Sequence, residues 1–366
     1  MKTLNAENIL EALRVVKDPD LHRDIVSLNF VKELKIDGKD VSLQIELTTP
    51  ACPVREELKA ESVRAIRESI EGVGRVDVAM TSRVTTNQNI KASPVLPGVK
   101  NTVAVASGKG GVGKSTVAVN IAVSLAKDGA KVGLVDADVY GPSIPLMMGI
   151  KGRPLMKNQR LQPIEQWGVK VMSIGFLIDP NQAVIWRGPM AGGAVKQFVS
   201  DVDWGELDYL LFDLPPGTGD IQLTLVQTIP LTGAVMVTTP QDVSLADVRK
   251  GIRMFEKVNV PLLGIVENMS YYVCSHCGNR DEIFDHGGGR RAAEEIGIPF
   301  LGDVAIFTGI RMSGDAGTPI VAHEEKSASS ESFTAIARNV AAQVSIRNAS
   351  QASGGVEIQL MQDGKS

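Results

Sequence analysis

Nine residues constrain this chain more than any other stretch: Gly108-Lys109-Gly110-Gly111-Val112-Gly113-Lys114-Ser115-Thr116. They follow the apolar run 102–106 and open a segment of helical character that begins near Lys114. A strand, a glycine-rich turn and a helix in that order gather backbone N–H groups and the positive end of a helix dipole at one point, which makes an anion site. Two fingerprints fit the same letters. Gly108, Gly110 and Gly113 satisfy G-x-G-x-x-G, with Asp136 at the end of the next strand where the ribose-binding acid of a dinucleotide site stands. The run also satisfies G-x-x-x-x-G-K-[ST], the phosphate-cradling P-loop. Lys114 and Ser115 separate the two. A dinucleotide site has no use for an ammonium and a hydroxyl at the helix start, whereas a triphosphate site uses Lys114 on the β/γ-phosphates and Ser115 on Mg²⁺.

From Thr102 onward, near-continuous apolar runs (102–107, 131–138, 169–175, 208–215, 233–240 and 262–269) alternate with helical segments. Strands apolar on both faces and separated by helices predict a parallel sheet covered on both sides, an α/β fold. The chain's 366 residues exceed one such domain, at about 150 residues each. The first 88 residues read as a small α+β unit: a helix over 6–17, a hairpin of Val31–Ile36 and Val41–Leu47, a helix over Pro53–Ile70 and a strand over Val73–Met80. Residues 89–100, with two prolines and no periodicity, read as a linker, and 101–346 as the α/β domain. Residues 347–366, small and polar, read as a flexible tail.

Charge and cysteine content narrow the function classes. A net charge of -4 excludes a surface built throughout for nucleic acid. No run reaches 18 apolar residues, and the N-terminus lacks the features of a leader, so a cytoplasmic address without membrane or nucleic-acid partners is expected. Three cysteines make no disulfide framework, which also points to a reducing compartment or a metal.

A second acidic element supports the P-loop. The strand 208–212 ends in Asp213-Leu214-Pro215-Pro216-Gly217-Thr218-Gly219-Asp220, an acid at the C-terminal end of a buried strand followed by a glycine turn. This suits a Walker-B Asp holding Mg²⁺, through water, and a loop that senses the γ-phosphate. Asp136 and Asp138 end another strand, and either is placed to orient an attacking water or to cap a helix. Lys109 is spare charge within its own loop, because Lys114 already serves the β/γ-phosphates.

The run KGGVGKS resembles the deviant Walker A of the signature-lysine ATPases, the group that includes the nitrogenase iron protein and the septum-site and partition ATPases. That resemblance implies a homodimer sandwiching two ATP molecules, with Lys109 acting across the dimer. It further implies Lys114 and Ser115 as cis phosphate and Mg²⁺ ligands, Thr116 on the α-phosphate, Asp138 as the switch I acid, Asp213 as the Walker-B acid and Asn268 on the adenine.

Cys274 and Cys277 form a C-x-x-C after the run ending Asn268-Met269-Ser270. A redox dithiol opens a helix in a thioredoxin-like unit, and the turn-forming residues after the pair do not fit that. A structural zinc needs four ligands, to which His276 or His286 would have to contribute. Two thiolates per chain in a dimer make the Cys₄ set that a [4Fe–4S] cluster takes, exposed and easily released.

Residues 101–345 as a whole resemble the Mrp-type (ApbC) iron–sulfur carrier ATPases, through GKGGVGKST, DADVYGPS, DLPPGTGD and ENMS followed by C-x-x-C. The first 85 resemble the MIP18-like (DUF59) domain of iron–sulfur assembly factors, through Asp18-Pro19-Asp20 and Thr48-Thr49-Pro50-Ala51-Cys52-Pro53. The resemblance implies slow ATP hydrolysis, a transient [4Fe–4S] cluster on Cys274 and Cys277 of two subunits, and exchange with upstream scaffold proteins and apo iron–sulfur proteins. Cys52, before a helix start, reads either as buried packing or as a transfer thiol with a dipole-lowered pKa.

Two other classes remain for comparison. A positioning ATPase of the septum-site or partition type leaves the C-x-x-C unemployed and asks for a basic amphipathic C-terminal helix that the tail cannot form. An NAD(P)-linked oxidoreductase leaves Lys114, Ser115 and Asp213 without work. Arg290 and Arg291 beside Gly287–Gly289 read as solvated helix charges, and His286 as a loop histidine.

Overall fold

The computed structural model describes residues 2–91, 95–177, 188–274, 276–323 and 327–353. Among them, nine strands form the central sheet. Its parallel core runs in the spatial order Val169–Ser173, Val132–Asp136, Leu207–Asp213, Val99–Ser107, Gly233–Thr238, Leu262–Val273 and Phe300–Ile306. Short antiparallel strands, Ile164–Gln166 and Arg280–Asp281, flank it. Alternation along Val99–Ser107 shows why the sheet needs two covers. Val103 and Val105 join the core under the helices Lys114–Lys127 and Ala328–Ser353, while Ala104 and Ala106 join the core on the opposite face. That second face is covered by Gly188–Ser200, Asp220–Thr228 and Asp242–Lys257. The expected α/β architecture is present, and all parallel strands direct their C-terminal ends to one edge, where open sheets of this kind hold ligands.

The first residues build a separate, smaller core around Ile9, Leu13, Ile45 and Ile66. Its sheet pairs Val31–Asp37 with Asp40–Leu47 as the expected hairpin, and Asp40–Leu47 with Val76–Ser82 in parallel. The first helix stops at Leu13 rather than reaching residue 17, because Lys17–Asp18 pair with Arg23–Asp24. The second spans Arg55–Ser69. The last strand starts at Val76 rather than Val73, since Gly72 turns left-handed and the Gly74 N–H bonds the Lys39 carbonyl.

Two expectations are corrected. The stretch 89–100 is not a loose spacer throughout: Gln88–Lys91 is helical, Leu96 is buried, and the sheet begins at Val99, paired with Leu207. The tail does not begin at Arg347, because the last helix continues to Ser353. Asn348 holds it down by donating to Asn101 Oδ1 at 2.9 Å and the Thr85 carbonyl at 3.0 Å and by accepting from Asn87 at 2.8 Å. A buried amide satisfied on all sides anchors a helix as firmly as an apolar contact. Residues 354–366 lie outside the described residues.

Candidate functional site

The glycine loop leaves the sheet after Ser107 and ends on the first turn of Lys114–Lys127. Gly113 is left-handed, with φ 81°, and a Cβ there would stand 2.1 Å from the Asn268 amide nitrogen. At Gly108 an added Cβ would meet the Asp247 backbone at 2.4 Å, so the helix Asp242–Lys257 can close on the loop only over glycine. The loop's last turn is pinned from outside. Asn268 Nδ2 donates to the Val112 carbonyl at 2.9 Å.

Lys114, Ser115, Asp136, Asp138 and Asp213 come together at the C-terminal edge. Asp136 and Asp213 are direct neighbours in the parallel pair of their strands. Lys114 Nζ lies 2.6 Å from Asp213 Oδ1 and 3.4 Å from Asp138 Oδ2. Ser115 Oγ donates to Asp213 Oδ2 at 2.6 Å. Burial alone would lower the Lys114 pKa, but Asp213 and Asp138 outweigh it and hold the ammonium above its ordinary range. Burial pushes the Asp213 carboxyl up, against the pull of Lys114 and Ser115. Burial first, and then the neighbouring Asp213, push Asp136 up to about 8, although Ser173 Oγ donates to it at 2.9 Å and the Ile144 N–H at 3.2 Å. Asp136 is thereby a structural anchor of the turn after its strand, and Asp138, facing Lys114, is the acid turned toward the loop. Ser115 and Asp213 offer the hard oxygen donors that Mg²⁺ takes, so the pair fits that ion.

Lys109 is half-buried, and among the described residues no carboxylate pairs with it. Gly110 approaches Pro216 of the DLPPGTGD turn, whose Gly217 N–H bonds the Ser107 carbonyl at 2.9 Å. Thr116 and Gly113 border a cleft of about 510 Å³ whose other walls include Met269, Ile283, Phe284 and Phe307. Asn268 stands at that cleft too, with its amide nitrogen committed to the P-loop.

The cysteines occupy the tip of a hairpin that prolongs Leu262–Val273. Tyr272–Val273 pairs with Arg280–Asp281, the Cys274 N–H donates to the Asn279 carbonyl, and the Gly278 N–H to the Cys274 carbonyl, each at 2.9 Å. Cys274 is partly exposed and Cys277 exposed. The backbone N–H groups of Cys277 and His276, then the Cys277 thiol, hold Cys274 below the ordinary thiol range. Among the described residues no group of three or more His, Cys, Asp or Glu side chains is placed to hold a metal, and neither His276 nor His286 joins the cysteine pair in one.

His286 has a role that the sequence did not disclose. Its Nδ1 lies 2.7 Å from Ser270 Oγ, and Ser270 in turn donates to Glu267 Oε1 at 2.5 Å. The fully buried Glu267 carboxylate also accepts from the Gly287 N–H at 2.9 Å and the Gly289 N–H at 2.5 Å, at the start of the helix Gly288–Ile296. The anion position offered by Gly287–Gly289 is therefore filled from within. Arg290 and Arg291 are exposed helix charges, as expected, the first lying over Phe300 at 4.3 Å and the second paired at the surface with Asp285 at 3.2 Å. The glycine run was the signal for this arrangement; nothing local pointed to Glu267 as its partner.

Of the two readings of Cys52, the structure supports buried packing and not the low-pKa thiol. Cys52 is buried, and that burial, with Asp18 and Asp20 adding to it, pushes its pKa up to about 11 despite the helix start beside it. Desolvation outweighs the dipole here.

Comparison with known proteins agrees with this geometry. Residues 98–341 match the family model described as NUBPL iron-transfer P-loop NTPase, and residues 6–78 that of an iron–sulfur cluster assembly protein. An iron–sulfur cluster carrier protein of Synechocystis sp. is 47% identical over 349 residues, covering 94% of this chain and 99% of its own. The iron–sulfur cluster transfer protein NUBPL of Dictyostelium discoideum is 49% identical over 256 residues, 69% of this chain and 79% of its own. Among solved structures, a nucleotide-binding protein of Archaeoglobus fulgidus in complex with ADP is 43% identical, with a TM-score of 0.56 over 64% of this chain and 92% of its own.

Proposed function

The chain belongs to the iron–sulfur cluster carrier family of P-loop NTPases, and from that premise we propose that it binds ATP with Mg²⁺, hydrolyses it slowly and passes a [4Fe–4S] cluster to apo-proteins. Lys114 holds the β/γ-phosphates, Ser115 and, through water, Asp213 hold Mg²⁺, and Thr116 meets the α-phosphate. The ion, once bound, neutralises charge that develops on the phosphates. Asp138 orients the attacking water after phosphate draws Lys114 away from it. The cleft beside Thr116 and Asn268 receives the adenine. The glycines 108, 110, 111 and 113, with Val112, supply the backbone cradle.

One observation carries the reading. The strand Leu262–Val273 bonds the P-loop at Asn268 and, after Val273, presents Cys274. Nucleotide and cargo are therefore two ends of one element. Two thiols per chain fall short of a cluster's four ligands, so the cluster is shared by two copies, with Lys109, unpaired with any acid of its own chain among the described residues, reaching the partner's nucleotide. The limits 1–88, 101–346 and a cytoplasmic address go with this proposal, as do scaffold donors and apo iron–sulfur acceptors. Among the described residues no helix is long and apolar enough to cross a membrane.

Anaerobic reconstitution with iron and sulfide tests it. Wild type is expected to gain iron, sulfide and broad visible absorbance as a dimer, whereas Cys274→Ala and Cys277→Ala gain none of these. A loaded monomer with full iron content would overturn the shared cluster, and loading of both variants would overturn the cysteine assignment.

A further inference from the structure

The hairpin that carries the cysteines does not simply project from the sheet. After Arg280–Asp281 the chain turns back, and Ile283 and Phe284 become walls of the cleft beside Gly113 and Thr116. At the hairpin's base the Ser270–His286 hydrogen bond joins its two ends at 2.7 Å, and Glu267 clamps the far end through the Gly287 and Gly289 N–H groups. The segment 271–285 is therefore closed on itself, with Cys274 and Cys277 at one extremity and Ile283 and Phe284 at the other.

Its joint with the sheet is irregular. The pairing with Phe300–Ile306 shifts register between Asn268 and Tyr272, and Met269 holds a left-handed φ of 57°. A non-glycine residue in that region, at a register shift beside the cleft, is a strained joint between the sheet and the hairpin beyond it. Met269 itself borders the cleft.

The apolar wall is exposed: Ile283 is 52% exposed, Phe284 38% and Phe307 47%. A flat heteroaromatic base seated on P-loop-bound phosphates would find this wall beside it, where aromatic stacking and apolar burial both favour contact. Such a ligand distinguishes hairpin positions that bring Ile283 and Phe284 against it from those that do not, which is the differential contact that a ligand-driven shift requires. Phosphates alone touch none of these side chains.

We propose that the nucleoside of the bound nucleotide, through Ile283 and Phe284, sets the placement of the cysteine hairpin and hence the exposure of Cys274 and Cys277. This rests on the nucleotide-binding reading of the P-loop. It makes the base, and not only the γ-phosphate, an effector of the cargo site, and it makes Ile283 and Phe284 specificity residues for that base.

The test is the alkylation rate of Cys274 and Cys277 in reduced, metal-free full-length protein, read by mass spectrometry. Mg²⁺-ADP is compared with Mg²⁺-pyrophosphate, each shown by calorimetry to be saturating. ADP avoids the contribution of hydrolysis. ADP is expected to change the rate at least threefold while pyrophosphate leaves it within 1.5-fold, and Phe284→Ala is expected to abolish the ADP effect. Ile283→Ala provides a second wall variant should Phe284→Ala unfold. Equal effects of ADP and pyrophosphate would overturn the proposal, as would ADP bound without any change in rate. Failure of ADP to bind at all would instead remove the P-loop reading, and this proposal with it.

Discussion

The Tyr209 hydroxyl lies 3.1 Å from Thr49 Oγ1 and donates to it in a fully buried contact between the two units of the chain. Tyr209 belongs to the strand that ends in Asp213, and Thr49 opens the loop that holds Cys52. Ala51 of that loop packs into the core beneath Lys114–Lys127. The first unit is thus seated on the strand that carries the Walker-B acid. Tyr209→Phe is expected to cost about 1 kcal/mol, the net worth of a typical buried hydrogen bond, because Thr49 keeps its bond from the Ala51 N–H. A urea midpoint unchanged in that variant would show that the contact does not hold the units together.

Lys114 counters two carboxylates, Asp213 and Asp138. Lys114→Ala removes this ammonium and leaves Asp213 and Asp138 facing the phosphates. Loss of one positioned charge of this kind lowers turnover by roughly 10²–10³. Phosphate release at saturating Mg²⁺-ATP checks it, and turnover within tenfold of wild type would remove Lys114 from the catalytic set.

Asp136 predicts a pH dependence of stability. Its carboxyl titrates near 3.8 in an unfolded chain and at about 8 when folded, so between those values the folded chain keeps a proton that the unfolded chain has released. Stability from this group therefore falls as pH rises from about 4 to 8, by at most about 1.4 kcal/mol per pH unit, and levels off above. Asp136→Asn, which keeps the neutral form's shape, should flatten that slope. Thermal midpoints of both proteins between pH 5 and 9 decide it; parallel curves would mean that Asp136 is charged at neutral pH.

The three cysteines should separate by reactivity. At pH 8 a thiol with a pKa near 11 is about 0.1% thiolate, while Cys274 is held below the ordinary range. Iodoacetamide is expected to label Cys274 and Cys277 at least tenfold faster than Cys52 in the native protein, with the difference vanishing in urea. Comparable native rates would place Cys52 in contact with solvent.

The P-loop was legible because its constraints are local. Gly113 is glycine on account of its own left-handed backbone, and Lys114 and Ser115 stand at a helix start wherever that helix packs. The parallel sheet could be read from apolar runs that have no polar face to offer. Cys274 and Cys277 were legible as a pair because a turn at Gly278 brings neighbours in sequence together. One reading failed and two stayed incomplete for one reason. Cys52 was left open between packing and a reactive thiol, because only its burial in the core of the first unit decides its pKa. The tail was judged by its small polar letters, when Asn348 meets Asn101 and Thr85 across the sheet edge. Arg290 and Arg291 are exposed as expected, but nothing local showed that Glu267, twenty residues earlier, fills the helix start beside them.

The amino-acid order determined by itself what short-range backbone geometry and strand periodicity can dictate: an anion-binding turn, a covered parallel sheet and two adjacent thiols. Tertiary structure alone decided which buried polar groups meet, because desolvation and hydrogen bonding act between residues that the chain brings together only after it has folded. That is why Glu267, Ser270 and His286 close the cysteine hairpin, and why Ile283 and Phe284 share a cleft with the P-loop.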